Sequence, residues 1–241
     1  MHRSRVLGVL IAAGCGAVAA IPAQGATPAQ VGPKCRTAWT GVAGSAAFRA
    51  YQPKCVAAAV AATDTATDAG NPTSTTANRI RSQAACGKRF PTPRNTAAKR
   101  LAFASCVAGV SAAQRSFAER PLKAVLSGAN EVPASGGATG TANIRLNQGK
   151  KRVCFTLRIS GIGAAPVTAA HIHRGAAGAA GDPVVAFDNL GPLNRSSPAT
   201  GCVQNVAAAL ITAIRKSPSG YYVNIHTAQY PSGAARGQLT K

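Results

Sequence analysis

Three histidines carry the chemistry this sequence could perform. His171 and His173 stand one residue apart in TAAHIHRGAAGAAGDPVV, Thr168 to Val185, and His226 closes the run YYVNIH. The fourth histidine, His2, belongs to an N-terminal stretch read below as an export signal. Imidazole nitrogen binds copper and zinc well, so an H-x-H pair plus a distant histidine is a donor set for either metal. Side chains of an extended chain alternate between faces. His171 and His173 then share one side of their strand, with Ile172 on the other. Tyr222, Asn224 and His226 share one side of theirs. Three imidazoles converge on this pattern where the two strands are neighbours. The sequence favours a different use of the same rings: a hydrogen-bonded network with Asn224, Thr227 and Arg236 that sets strand register. Catalysis has little support. No carboxylate stands at a recognisable triad spacing from a serine, and Asp182 and Asp188 lie in a Gly/Pro-rich region. GAAGAAGD is no phosphate loop, because no Gly-Lys-Ser/Thr follows and it opens a strand.

These histidines need strands to hold them, and residues 121–241 supply the pattern. Leu122–Gly128, Gly140–Leu146, Arg152–Ser160, Thr168–His173, Pro183–Phe187, Tyr221–Thr227 and Ala235–Leu239 are short apolar or alternating runs bounded by turn residues. That spacing predicts a mainly-β sandwich or barrel. Ala207–Lys216 fits one short helix with Leu210, Ile211 and Ile214 as its apolar stripe. In RVCFTLRIS, alternation sets Val153, Phe155, Leu157 and Ile159 inward and Cys154 outward. Cys154 and Cys202 are the cysteines of this half and should bond each other.

Residues 26–120 read differently, as an alanine-rich helical module built from an internal repeat. Cys35 and Cys55 are twenty apart, as are Cys86 and Cys106, and AAFRAYQPKCVAA matches AAKRLAFASCVAG at an offset of 51. Two copies of one helical unit is the simplest account. Ala97–Phe117 predicts a long helix capped by Asn95 or Thr96, and Ala57–Ala66 another. Thr63–Asn78 is polar, contains Asn71-Pro72, and predicts a linker. Small units gain most from a covalent staple, so the spacing predicts Cys35–Cys55 and Cys86–Cys106. Pairing across the copies, Cys35 with Cys106 and Cys55 with Cys86, is the alternative. The acids of this half are Asp64, Asp68 and Glu119, which form no catalytic constellation.

Residues 1–25 have the marks of an export signal. Arg3 and Arg5 precede an apolar run, Val6 to Ala20, and Ala23 and Gly25 fit a cleavage site. A lipoprotein cut before Cys15 is the rival. Cleavage near Ala26 leaves six cysteines, an even number suited to an oxidising, secreted or envelope location. It also takes the formal charge from +21 to +19. The cations are dispersed, the longest run being Lys150-Lys151-Arg152. This favours adhesion to anionic polymers or envelope surfaces over specific nucleic-acid recognition.

The second half resembles the CHRD domain, a module named from chordin. The likeness rests on LSGANEVP, then ATGTANIRL, then AHIHRGAAGAAGDPVV, and finally YYVNIHTAQYPSGAARGQL, in that order. It implies an immunoglobulin-like or Greek-key β domain and no settled activity. Ala234-Ala235 stands where the family usually has glutamate-isoleucine, removing a carboxylate that could pair with Arg236. A looser likeness links the H-x-H strand, the late histidine and the glycine-flanked arginine to copper–zinc superoxide dismutases. That likeness implies His171, His173 and His226 as metal ligands and Arg236 as an anion guide. No histidine remains to bridge two metals, and the zinc loop is absent.

The favoured sequence reading is thus an exported, non-enzymatic interaction module. The competing class is a copper- or zinc-binding protein with redox activity. The charge yields a first prediction. Binding to an anionic polymer such as heparin should be weak and should vanish between about 0.1 and 1 M salt, as the Debye length falls from about 10 to 3 Å. Retention on heparin–agarose at 1 M salt would contradict it.

Overall fold

A computed structural model describes residues 26–63, 75–195 and 197–241. The predicted export signal with Cys15, the residues Asp64 and Asp68, and the middle of the predicted linker lie outside these.

Four helices come first: α1 (Pro28–Ala38), α2 (Ala46–Ala62), α3 (Thr75–Arg89) and α4 (Ala97–Phe117). Each N-terminus described is closed by a hydroxyl that accepts an orphan backbone N–H. Thr27 does this for α1 within a capping box with Gln30, Ser45 for α2 and Thr96 for α4. The chain therefore uses Thr96, and not Asn95, to start its longest helix. Two expectations need correction. The second helix begins at Ala46, eleven residues before the predicted Ala57, and runs through Pro53 to end at Ala62. The predicted linker loses Thr75–Asn78 to α3.

Each sequence repeat is a helical hairpin. Cys35–Cys55 joins α1 to α2, and Cys86–Cys106 joins α3 to α4. Alanine at the interfaces lets the helices approach closely, and Val31, Tyr51, Val110 and Phe117 fill the space between them. A buried polar strip fixes their rotation: Gln114 on α4 donates to Ala62 O at 3.1 Å, and its amide oxygen accepts from Ser82 Oγ of α3 at 3.1 Å. Among the described residues no helix is long and apolar enough to cross a membrane.

The rest is one eight-stranded antiparallel sheet, rolled into a near-barrel. Its strands are β1 (Arg120–Ser127), β2 (Thr139–Asn147), β3 (Arg152–Ser160), β4 (Val167–Arg174), β5 (Pro183–Ala186), β6 (Ala199–Val203), β7 (Tyr221–Thr227) and β8 (Ala235–Gln238). Their order is β5-β4-β7-β8-β1-β2-β3-β6. The two ends of the sheet are drawn together where Phe187, after β5, packs against Phe155 of β3 with centroids 4.4 Å apart and Asn189 Nδ2 donates to Thr200 O of β6 at 3.3 Å. Inside lie Leu126, Ile144, Leu146, Leu157, Ile172, Val223, Ile225 and Leu239, each under a few per cent exposed. A short helix α5 (Ala208–Lys216) adds Ile211 and Ile214 to this core. β3 alternates as expected, and Cys154 on its outer face bonds Cys202 directly opposite on β6.

Helices and sheet meet at the β2–β3 turn. Asn147, fully buried, donates through Nδ2 to Phe117 O at 2.7 Å, and Gly149 N donates to Ser116 O at 2.7 Å. Losing a buried partner typically costs about 1–3 kcal/mol. Asn147→Ala should lower urea-unfolding stability by that amount. It should also separate the Trp39 fluorescence transition of the helices from the transition of the sheet followed by the amide NMR signals of β1–β8. Coincident, unshifted curves would show that the two halves are not coupled through this contact.

Candidate metal centre

The site is built on the outer face of β4, β7 and β8. Cross-strand registration pairs His171 with Asn224 and Asn224 with Arg236, while His173 pairs with Tyr222 and Tyr222 with Gln238. Residues directly opposite one another point to the same face, so all three histidines rise on one side of the sheet. The core residues Ile172, Val223 and Ile225 rise on the other. The strands are neighbours, as the histidine pattern requires.

Three loops cover this polar face and supply what the side chains need. The loop after β4 lies tight against its own strand end. A Cβ at Gly181 would stand 1.6 Å from Arg174 O, so only glycine permits that approach. The approach brings Gly181 O to 2.8 Å from His173 Nδ1. After β7, a turn held by Tyr230 N donating to Thr227 Oγ1 at 3.1 Å sets Pro231 O at 3.0 Å from His226 Nδ1. The loop after β1 brings Glu131 down onto Asn224 and Arg236.

A carbonyl oxygen only accepts, so each of these Nδ1 atoms must carry a proton. In the neutral rings the lone pairs of His173 and His226 therefore sit on Nε2. His226 Nε2 lies 3.2 Å from His171 Nδ1. His173 Nε2 is buried and has no hydrogen-bond partner. The three potential ligand atoms all lie within 4.8 Å of one another. Two nitrogens held about 2.0–2.1 Å from one tetrahedral zinc are about 3.3–3.4 Å apart, close to the His171–His226 separation. Bringing the widest permitted pair to that spacing takes about 1.5 Å, the scale of a ring tilt. Tyr222 stacks on His173 with centroids 5.0 Å apart and planes 13° from parallel, and Arg236 Cζ lies 4.9 Å from the centroid of the Tyr222 ring.

The hydrogen-bond partners of the histidines are thus backbone carbonyls and one another. Asn224, Thr227 and Arg236, the expected partners, bond elsewhere. Arg236 is buried and spans the loops, donating from Nη1 to Ala179 O at 3.0 Å and from Nε to Asn130 O. Asp182 and Asp188 are exposed loop residues that make no site with the histidines. Burial, and then the neighbouring imidazoles, push the His171 pKa below the ordinary histidine value. Burial lowers His226 as well, opposed by its bond to Pro231 O. Both effects keep the rings neutral and able to donate lone pairs near neutral pH.

Glu131 was not legible as a site residue. It lies 3.9 Å from Arg236 Nε through Oε2 and accepts from Asn224 Nδ2 at 3.5 Å. It supplies from β1's side the carboxylate that Ala234-Ala235 lacks. Gly233, at φ 145°, makes room for it, since a Cβ there would stand 2.6 Å from the carboxyl. The one available signal was a lone acid in LSGANEVP, within a chain of only six acids.

Residues 122–239 match the CHRD domain family. The C-terminal half is a CHRD domain. No curated protein and no solved structure matches the chain. The CHRD match begins after the helices, so the helical hairpins stand outside it.

Burial raises the Glu131 pKa to about 7, partly opposed by Arg236 and Asn224. A folded-state value above the unfolded one means the native protein binds the extra proton between the two. Stability from this group is full below about pH 4.5 and is lost as pH rises towards 7. The stability gap between the native protein and Glu131→Gln should therefore shift against the native protein as pH rises from 4.5 to 7. Urea titrations at several pH values read this, and a pH-independent gap would refute it.

Proposed function

We propose that this is an extracytoplasmic CHRD-domain protein that holds one copper or zinc ion with His171, His173 and His226. The observation that carries the reading is the orientation of the rings. Two backbone carbonyls hold the protons of His173 and His226 on Nδ1 and leave Nε2 as the lone-pair nitrogen, the arrangement in which metal-binding histidines are usually held. Most buried polar atoms in folded proteins have a partner; His173 Nε2 has none from the protein, and a metal ion would supply it. This moves the weight away from the purely hydrogen-bonded role favoured by the sequence.

His171 Nδ1 and His226 Nε2 are a donor–acceptor pair without a metal. With one, His171 takes the other tautomer and both lone pairs face the ion. His171 is half-buried, so the centre opens to solvent on that side. Three imidazoles leave a coordination position for water or a small anion. At equal availability such nitrogen sites prefer Cu²⁺ to Zn²⁺. Export is supported by the N-terminal pattern of Arg3, Arg5 and Val6 to Ala20, and by three disulfides, which persist in oxidising compartments.

A metal that prefers the native state adds about 2.7 kcal/mol at a hundredfold excess over Kd. Stoichiometric Cu²⁺ or Zn²⁺ should raise the melting temperature by several degrees. The gain should disappear in His171→Ala/His173→Ala and below about pH 5, where imidazoles are protonated. An equal gain in the double variant would remove the histidines from the metal site.

A further inference from the structure

The helical half contains a cleft of about 360 Å³ between α2, the turn joining α3 to α4, and the start of α4. Its floor is aromatic. Trp39 and Tyr51 pack with centroids 4.7 Å apart, and Phe90 continues the row 6.2 Å beyond Tyr51. The polar atoms of that floor are already engaged: Tyr51 Oη donates to Cys35 O at 2.9 Å, and Trp39 Nε1 donates to Val42 O at 3.2 Å. What faces the cleft is ring surface, with Pro91, Pro93 and alanine methyls beside it.

The rim is cationic. Lys54, Arg89, Arg94 and Lys99 surround the opening, and among the described residues no carboxylate side chain lines it. Arg94 is held in place, its Nε donating to Phe90 O at 3.0 Å and its guanidinium lying 3.6 Å over Phe103. Lys54 stands 5.8 Å over the Phe90 ring. Charge elsewhere in the segment does not offset this. Residues 26–117 carry twelve lysines and arginines against Asp64 and Asp68. A sugar would need neutral donors and acceptors to read its hydroxyls, and Thr92 is the one neutral hydroxyl of the lining whose side chain bonds are not given to the floor. Apolar walls with a charged mouth suit a ligand with an apolar body and an anionic head.

We propose that this cleft binds a small amphiphilic anion, a carboxylate attached to a flat apolar group, with the apolar part on Trp39, Tyr51 and Phe90 and the carboxylate among the rim cations. The proposal is independent of the metal centre.

Trp39 is the only tryptophan of the chain, so its fluorescence reports the cleft directly. The intact, disulfide-bonded protein is titrated with 4-phenylbutyrate, with its neutral twin 4-phenylbutanol, and with polygalacturonate. The carboxylate should change Trp39 emission saturably and bind about tenfold more tightly than the alcohol, the scale expected of two charge contacts at a partly desolvated rim. Lys54→Gln/Arg89→Gln, both exposed positions, should erase most of that preference and leave the melting temperature unchanged. Equal affinity for acid and alcohol, no saturable response to the acid, or a response to polygalacturonate alone would each overturn the proposal. So would a double variant that keeps the full preference.

Discussion

The register between β4 and β7 governs the C-terminal half. With His171 opposite Asn224 and His173 opposite Tyr222, the polar residues of both strands fall on the outer face and Ile172, Val223 and Ile225 fall in the core. A slip of one residue would exchange the two sets completely. A slip of β7 would turn His226 inward and expose Val223 and Ile225, and a slip of β4 would turn His171 and His173 inward and expose Ile172. The hydrophobic core therefore selects the register, and the register assembles the histidines. No separate interaction is needed to bring His226 to His171, fifty-five residues away.

Such a polar face is costly unless its groups are paired or wet. Here it is covered, and β7 is buried along its whole length. Backbone does much of the pairing. Gly181 O and Pro231 O take the histidine protons, while Asn130 O and Ala179 O take those of Arg236. The arginine acts as a strut between the loops after β1 and β4, and the Glu131 carboxyl lies 3.9 Å from its Nε. Four buried atoms on this face still lack partners: His173 Nε2, Glu131 Oε1, Asn224 Oδ1 and Arg236 Nη2. The proposed metal ion would supply a partner to His173 Nε2 at the histidine end of this face.

Much of this was readable in the residues because it depends on periodicity. Alternation located β3 to the residue, gave the parity of the three histidines, and put Cys154 outside. The repeat spacing anticipated two stapled helical units, and the CHRD likeness of the second half is matched over 122–239. The misses have physical causes. β6 is ATGCV, with a glycine at its centre and no apolar alternation, and it exists because β3 offers it an edge and Cys154 a bond. Helix α2 contains Pro53 and α1 contains Pro33, residues that ordinarily argue for a break. The carbonyls that fix the histidine tautomers carry no side-chain signature at all, so the sequence suggested Asn224, Thr227 and Arg236 in their place. Glu131 is ninety-three residues from Asn224, and only the folded sheet brings them together.

On the proposed function, the fold presents the Nε2 lone pairs of His173 and His226, with the third imidazole beside them, to a single ion. Nitrogen-15 NMR of the imidazole side chains tests it most directly, in chelator-treated protein near neutral pH and again after one equivalent of Zn²⁺. Before metal, His173 and His226 should carry a proton on Nδ1, facing Gly181 O and Pro231 O. After metal, the account predicts coordination shifts at their Nε2 atoms and at His171 Nδ1, at one ion per chain. Nε2–H tautomers for His173 and His226, or zinc that leaves these three nitrogens unshifted, would contradict it.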